Sequence, residues 1–114
     1  MSFLSRLLGG SDTLSPADFV AQRDPDAPVL DVRTAREAAG GRLRGALHAD
    51  VMAPDFAQRV ETMKLPADGP VYVYCKSGNR SKMAVGRLKS QGVAGAVNVG
   101  GYDALVRAGA EREA

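Results

Sequence analysis

"VYVYCKSGNRSKM", residues 71–83, is the stretch whose reading decides the fold. VYVY is β-branched and aromatic throughout and is the clearest strand in the chain. From Ser81 onward, Ala84, Val85 and Leu88 share one helical face, and Gly92 is a natural helix stop. Between strand and helix sits the only cysteine, Cys75, with Lys76 and Arg80 close beside it.

Outward from this segment the chain keeps the same rhythm. Towards the N-terminus, Ser15 is a good N-cap and Pro16 suits the first helical position. Leu14 can staple onto Phe19. DPDAP ends that helix as turn material, and residues 27–32 read as a short buried strand. Thr34 and Glu37 have capping-box spacing, which predicts a short helix that GGRLRG breaks. Residues 45–49, GALHA, read as another short strand. Pro54 opens a helix with Phe56, Val60 and Met63 on one face, and Pro66 stops it. Beyond residue 92, AVNV reads as a last strand and GGYDALVRAG as a short last helix. Strands alternating with helices predict an α/β fold, a parallel sheet with helices on both faces. Ligand sites in such sheets lie beyond the carboxyl ends of the strands, where Cys75 falls.

The bulk properties narrow the function classes. A chain of 114 residues makes one domain and can bury a core without disulfides or a metal. A net charge of +2, with no block of like charge, gives no case for nucleic acid. No run approaches the ~18 apolar residues of a membrane span. A lone cysteine fits a reducing compartment, so the expected location is cytoplasmic. Residues 1–10 read as a frayed or docked N-terminal extension rather than a signal peptide, with the single domain over 11–114.

The loop after VYVY is suited to activating a thiol. Gly78 permits the positive φ that a sharp turn around the sulfur needs, and Asn79 tolerates it. Loop N–H groups turned inward form an anion-binding nest, and the following helix adds its positive dipole end, with Ser81 as the expected cap. Lys76 and Arg80 add full charges. All of these favour the thiolate of Cys75, and the same cradle would bind an oxyanion arriving at the sulfur. A lone cysteine is more often a small buried hydrophobe. Its neighbours here, Lys, Ser, Gly, Asn and Arg, argue for the functional reading.

CKSGNRS resembles the active-site loop of rhodanese-type sulfurtransferases. VLDVRTAREAAGGRLRGALHADV is similar to that family's N-terminal signature, with Asp31, Arg33, Glu37, Gly41, Leu43, Gly45, Ala46 and His48 at its typical positions. VNVGGYDALVRAG resembles its C-terminal signature, with the glycine pair Gly100 and Gly101. The resemblance implies a rhodanese-like domain with a five-stranded parallel sheet between helices, working without metal or organic cofactor. Cys75 would be the catalytic nucleophile, taking sulfane sulfur from a small anionic donor such as thiosulfate or a persulfide and holding it as a persulfide. A thiol or cyanide acceptor would then remove it. Lys76, Ser77, Gly78, Asn79, Arg80 and Ser81 would bind the substrate, with Arg80 and Lys76 attracting the sulfonate end of the donor. Two departures from the family pattern are packing differences: Ala38 where an aromatic residue is common, and no tryptophan after the glycine pair.

Two other functions fit the residues. A cysteine-based phosphatase or arsenate reductase uses a loop of similar design, but with its arginine six positions after the cysteine. Arg80 is five positions on, a tighter ring suited to a single sulfur. A sulfur-relay protein, loaded by a protein partner, would have the same cysteine and no free-standing turnover. Three further residues are candidate supports: His48, expected to be structural rather than a base for the thiol; Asp31, expected to fix backbone and able to face the loop; and Arg33, expected to pair with Glu37. Lys82, Arg87 and Lys89 are expected on a solvated helix face, and Tyr72 and Tyr74 in the core.

Overall fold

Strand β4 (Val71–Cys75) is buried along its whole length, and its pleat divides the molecule. Val71, Val73 and Cys75 point to one side and Tyr72 and Tyr74 to the other, each set entering a separate core cluster. A computed structural model describes residues 12–113, so the expected N-terminal extension lies outside the described residues.

The elements in chain order are α1 (Pro16–Gln22), β1 (Val29–Asp31), α2 (Ala35–Ala39), β2 (Arg42–Leu43), β3 (Leu47–His48), α3 (Phe56–Met63), β4, α4 (Asn79–Ser90), β5 (Ala96–Gly101), α5 (Tyr102–Arg107) and β6 (Arg112–Glu113). The main sheet is parallel with strand order β3-β1-β4-β5. On one face Phe56 and Val60 of α3 and Ala84, Val85 and Leu88 of α4 pack against Leu30, Val71, Val73 and Cys75. On the other, Phe19 of α1 and Leu105 of α5 cover Tyr72, Tyr74, Val97 and Val99. The predicted α/β layering with helices on both faces is what the chain adopts.

The local signals explain the helix starts. The Ser15 hydroxyl accepts from the Asp18 N–H at 3.1 Å, with Pro16 opening α1. At α2 the capping box closes in both directions, Thr34 Oγ1 taking the Glu37 N–H and Glu37 Oε1 taking the Thr34 N–H.

Three expectations are corrected. The parallel sheet has four strands among the described residues, not five. In the fifth place stands a single parallel bridge from Thr13 to Asn98, with the Asn98 N–H on the Asp12 carbonyl and the Leu14 N–H on the Asn98 carbonyl. After Leu14, Ser15 and Pro16 turn the chain into α1 at once, which ends the pairing on that side. The GGRLRG segment is not only a break: it contains β2, which pairs antiparallel with β6 after the last helix. Finally, α4 begins at Asn79 rather than Ser81. Its N-cap is Gly78 at φ 97°, without a side-chain cap, so Ser81 sits inside the first turn and is fully buried.

Candidate active site

Cys75 ends β4, pairs in register with Gly101 of β5, and is fully buried. Its Sγ accepts the Gly78 N–H at 3.0 Å and lies 3.4 Å from Ser81 Oγ. Burial pushes the thiol up, but the Ser81 hydroxyl and the N–H groups of Ser81, Gly78 and Ser77 outweigh it and leave Cys75 below the ordinary thiol range. The turn that delivers these donors depends on two glycines. Gly78 takes the left-handed φ that starts α4. Gly101 lies directly under the loop, where a Cβ would strike the Lys76 carbonyl.

The loop residues divide by environment. Lys76, Ser77 and Asn79 are exposed, and Gly78 is half-buried. Asn79 starts the helix and needs no positive φ; among the described residues only Lys64 of the non-glycines has one. Arg80, expected to meet the donor's sulfonate, instead directs both terminal nitrogens at Glu37. Its NH1 donates to Oε1 at 2.7 Å and its NH2 to Oε2 at 2.9 Å. The Arg80 hydrogen bonds hold the Glu37 carboxyl at about 2, against the opposing effect of burial and with help from Thr34.

Glu37 is therefore not the partner of Arg33. Arg33 reaches back two residues to Asp31, with Nε at 3.0 and 3.1 Å and NH2 at 2.7 Å from the carboxylate. Asp31 also fixes the Arg33 N–H, the backbone role expected of it, and accepts from the Tyr74 hydroxyl at 2.9 Å. The Tyr74 oxygen in turn takes the Leu43 N–H at 3.0 Å, and burial holds this phenol well above its usual range. The Arg33 guanidinium completes the cluster over the Tyr102 ring at 4.4 Å. Asp31 aligns with Tyr74 in the sheet register, on the face opposite Cys75. It does not face the active loop; the pleat turns it away.

His48 is likewise apart from the sulfur. Its Nε2 donates to the Arg33 carbonyl at 2.7 Å, and the ring lines a hollow with Ala35, Ala38, Ala39 and Arg42. On α4, Lys82 and Arg87 are exposed as expected, with Arg87 NH1 donating to the Val51 carbonyl at 2.8 Å, while Lys89 is half-buried and pairs with Asp12 at 3.0 Å. Tyr72 and Tyr74 are core residues, each with its hydroxyl bonded to backbone N–H. Among the described residues no group of three or more His, Cys, Asp or Glu could hold a metal ion, and no helix is long and apolar enough to cross a membrane.

One residue beside the sulfur was not singled out from sequence. Asn98 of β5 lies on the face shared by Ala96, Val73 and Cys75. Its Nδ2 donates to the Gly78 carbonyl at 3.0 Å, and its Oδ1 lies 2.7 Å from Ser81 Oγ. The available signal was a lone amide inside an otherwise apolar strand, since a buried amide must find partners.

A family model described as "Rhodanese-like domain" matches residues 15–108. The thiosulfate sulfurtransferase GlpE of Pseudomonas fluorescens is 34% identical over 92 residues, covering 79% of this chain and 80% of that protein. The tRNA uridine(34) hydroxylase of Caulobacter vibrioides is 38% identical over 90 residues, covering 70% of this chain but 29% of that protein. The solution structure of the rhodanese-like domain of Alr3790 from Anabaena sp. superimposes with a TM-score of 0.75 at 21% identity, over 91% of this chain and 80% of that one, a likeness of fold.

Proposed function

The chain belongs to the rhodanese-like domain family, and we propose that it is a sulfurtransferase that carries sulfane sulfur on Cys75. The Cys75 thiolate attacks the outer sulfur of thiosulfate or a related donor. A new S–S bond forms at Sγ, the donor's S–S bond breaks, and sulfite leaves with the electron pair. The outer sulfur of the resulting persulfide is then attacked by a thiolate or cyanide, and Cys75 returns as thiolate. This is double displacement, hence ping-pong kinetics. The N–H groups of Ser77, Gly78 and Ser81 receive the negative charge, and exposed Lys76 attracts the anionic donor.

The observation that carries this reading is the Arg80–Glu37 pair. A cysteine phosphatase or arsenate reductase would need that arginine to grip a tetrahedral oxyanion with both terminal nitrogens. With both nitrogens on Glu37, the donors left at the sulfur are the hydroxyl and backbone groups of a tight loop, suited to one added sulfur. The test is mass spectrometry of the full chain after incubation with thiosulfate. A gain of about 32 Da on Cys75, one sulfur atom, removed by cyanide, supports the proposal. No sulfur gain with thiosulfate, together with a phosphate or arsenate adduct on Cys75 in a parallel incubation with a phosphate monoester or arsenate, would replace it with the phosphatase reading. Loading from a protein or low-molecular-weight persulfide but not from thiosulfate would assign a sulfur-relay role.

A further inference from the structure

The Ser81 hydroxyl has one proton and two acceptors within reach. Its Oγ lies 2.7 Å from Asn98 Oδ1 and 3.4 Å from Cys75 Sγ. The Asn98 amide can sit only one way round. Oδ1 accepts the Gly100 N–H at 2.9 Å, and Nδ2 donates to the Gly78 carbonyl at 3.0 Å. The flipped amide would set donor against donor at Gly100 and acceptor against acceptor at Gly78. Oδ1 is therefore an acceptor only, and the 2.7 Å contact requires the Ser81 proton to lie on it. The Ser81 lone pairs then face Cys75, where they suit an S–H donor and repel a thiolate.

We propose that Asn98 is a positioning residue for Cys75, holding the Ser81 hydroxyl proton while Cys75 is a thiol and yielding it to the sulfur when Cys75 ionises. The inference rests on the reading that the Cys75 thiolate is the acting nucleophile. In the thiol state the sequence is Sγ–H to Ser81 Oγ and Ser81 O–H to Asn98 Oδ1. On ionisation the thiol proton leaves to solvent and the Ser81 O–H turns to Sγ. Oδ1 keeps the Gly100 N–H, so the buried amide is never without a partner. No covalent bond other than S–H changes. When the sulfur carries a second sulfur, the charge moves to the outer atom and the Ser81 proton returns to Asn98.

Asn98 is suited to this part because it is held from every side. Its backbone joins the Asp12 and Leu14 segment, and its side chain joins the loop at Gly78 and α4 at Ser81. The charged groups around the site are Arg80 of α4, its partner Glu37 of α2, and Asp50 after β3. Exposed Lys76 follows Cys75 in the loop, β5 contributes no ionisable side chain, and Asp31 of β1 is turned to the other face. Hydrogen bonding at the sulfur thus decides the balance, with these charges as a fixed background.

The experiment is a pH titration of the Cys75 thiolate absorbance in the full chain, read as a difference against Cys75→Ser, for wild type, Ser81→Ala, Asn98→Ala and the double variant. Ser81→Ala removes a donor from the thiolate and should lower the thiolate fraction near neutral pH by about tenfold. Asn98→Ala frees the hydroxyl for the sulfur and should raise that fraction by about threefold. The double variant should match Ser81→Ala alone. A thiolate fraction that falls or stays unchanged in Asn98→Ala, or a double variant showing the sum of the two effects, overturns the proposal. If Asn98→Ala does not fold, NMR decides with the proteins that do. In wild type the Asn98 side-chain amide resonances should shift with the same midpoint as the thiolate absorbance, and in Ser81→Ala they should not. Resonances that stay still in wild type, or move equally in Ser81→Ala, overturn it. None of these measurements reads sulfur transfer, so their failure is separate from failure of the thiosulfate loading test.

Discussion

Arg80 and Glu37 lie 43 residues apart in the chain, yet their guanidinium and carboxylate meet at 2.7 and 2.9 Å. The pair ties the first turn of α4, which follows the cysteine loop, to the first turn of α2. It also neutralises the arginine that a phosphate-binding loop would leave open.

This pair sets a pH dependence. Glu37 titrates at about 2 in the fold against an ordinary 4.5, so its folded form is depressed. A depressed carboxyl contributes stability that is fully present above the unfolded value and is lost as pH falls through the folded one. The loss runs from about 4.5 down to about 2. Both side chains are about a quarter exposed, which screens the interaction. Glu37→Gln should therefore cost about 1–2 kcal/mol at neutral pH. In urea unfolding, its deficit against wild type should shrink steadily as pH is lowered from about 4.5 towards about 2. A deficit independent of pH would show that the charge is not what matters.

Asp31 makes a contrasting prediction. It is fully buried with Arg33 and Tyr74 on the sheet face away from Cys75. Asp31→Asn leaves a buried guanidinium without its counter-charge, which costs about 3–5 kcal/mol. Thermal or denaturant unfolding should show the loss, while thiosulfate loading per folded molecule stays near wild type. A large loss of loading in protein that is still folded would return Asp31 to the site.

Gly101 links fold and site through a single missing atom. A Cβ there collides with the Lys76 carbonyl, so Gly101→Ala must lift the loop that carries the Ser77 and Gly78 N–H groups. The expected result is a stability loss of about 1–3 kcal/mol together with a slower first half-reaction with thiosulfate. Stopped-flow measurement of persulfide formation separates that step from release to the acceptor. An unchanged loading rate would mean the loop position is not critical.

Cys75→Ser keeps the volume nearly constant at the end of β4 and retains an acceptor for the Gly78 N–H. It should change stability by about 1 kcal/mol and abolish sulfur loading and transfer. Residual transfer at the wild-type rate in this variant would remove Cys75 from the chemistry.

The local elements were legible because their causes are local. The alternation of Val71 to Tyr74 assigns β4 and its two faces, and the caps at Ser15 and Thr34 depend on residues three apart. The position of Cys75 at a strand-to-helix junction follows from the same reading. Partner choice was not legible. Glu37 has Arg33 four residues before it in the chain's neighbourhood, but α2 faces Arg80 across the fold, and Arg33 is drawn down to Asp31. The sequence signals point to Ser81 as the cap of α4, but Gly78 turns the chain without a side-chain signal and puts Ser81 inside the helix.

By itself, then, the sequence determined the chain order of the helices and of the parallel-sheet strands, the place of the lone thiol, and the tight loop around it, since each is written in propensity and spacing over a few residues; the β2–β6 pair was not among them. Only the tertiary structure decided which charges meet, which face of the sheet Asp31 occupies, and that Asn98 reaches Ser81 beside the sulfur. Those are contacts between segments far apart in the chain, and they are chosen by sheet register and by the need of buried polar groups for partners.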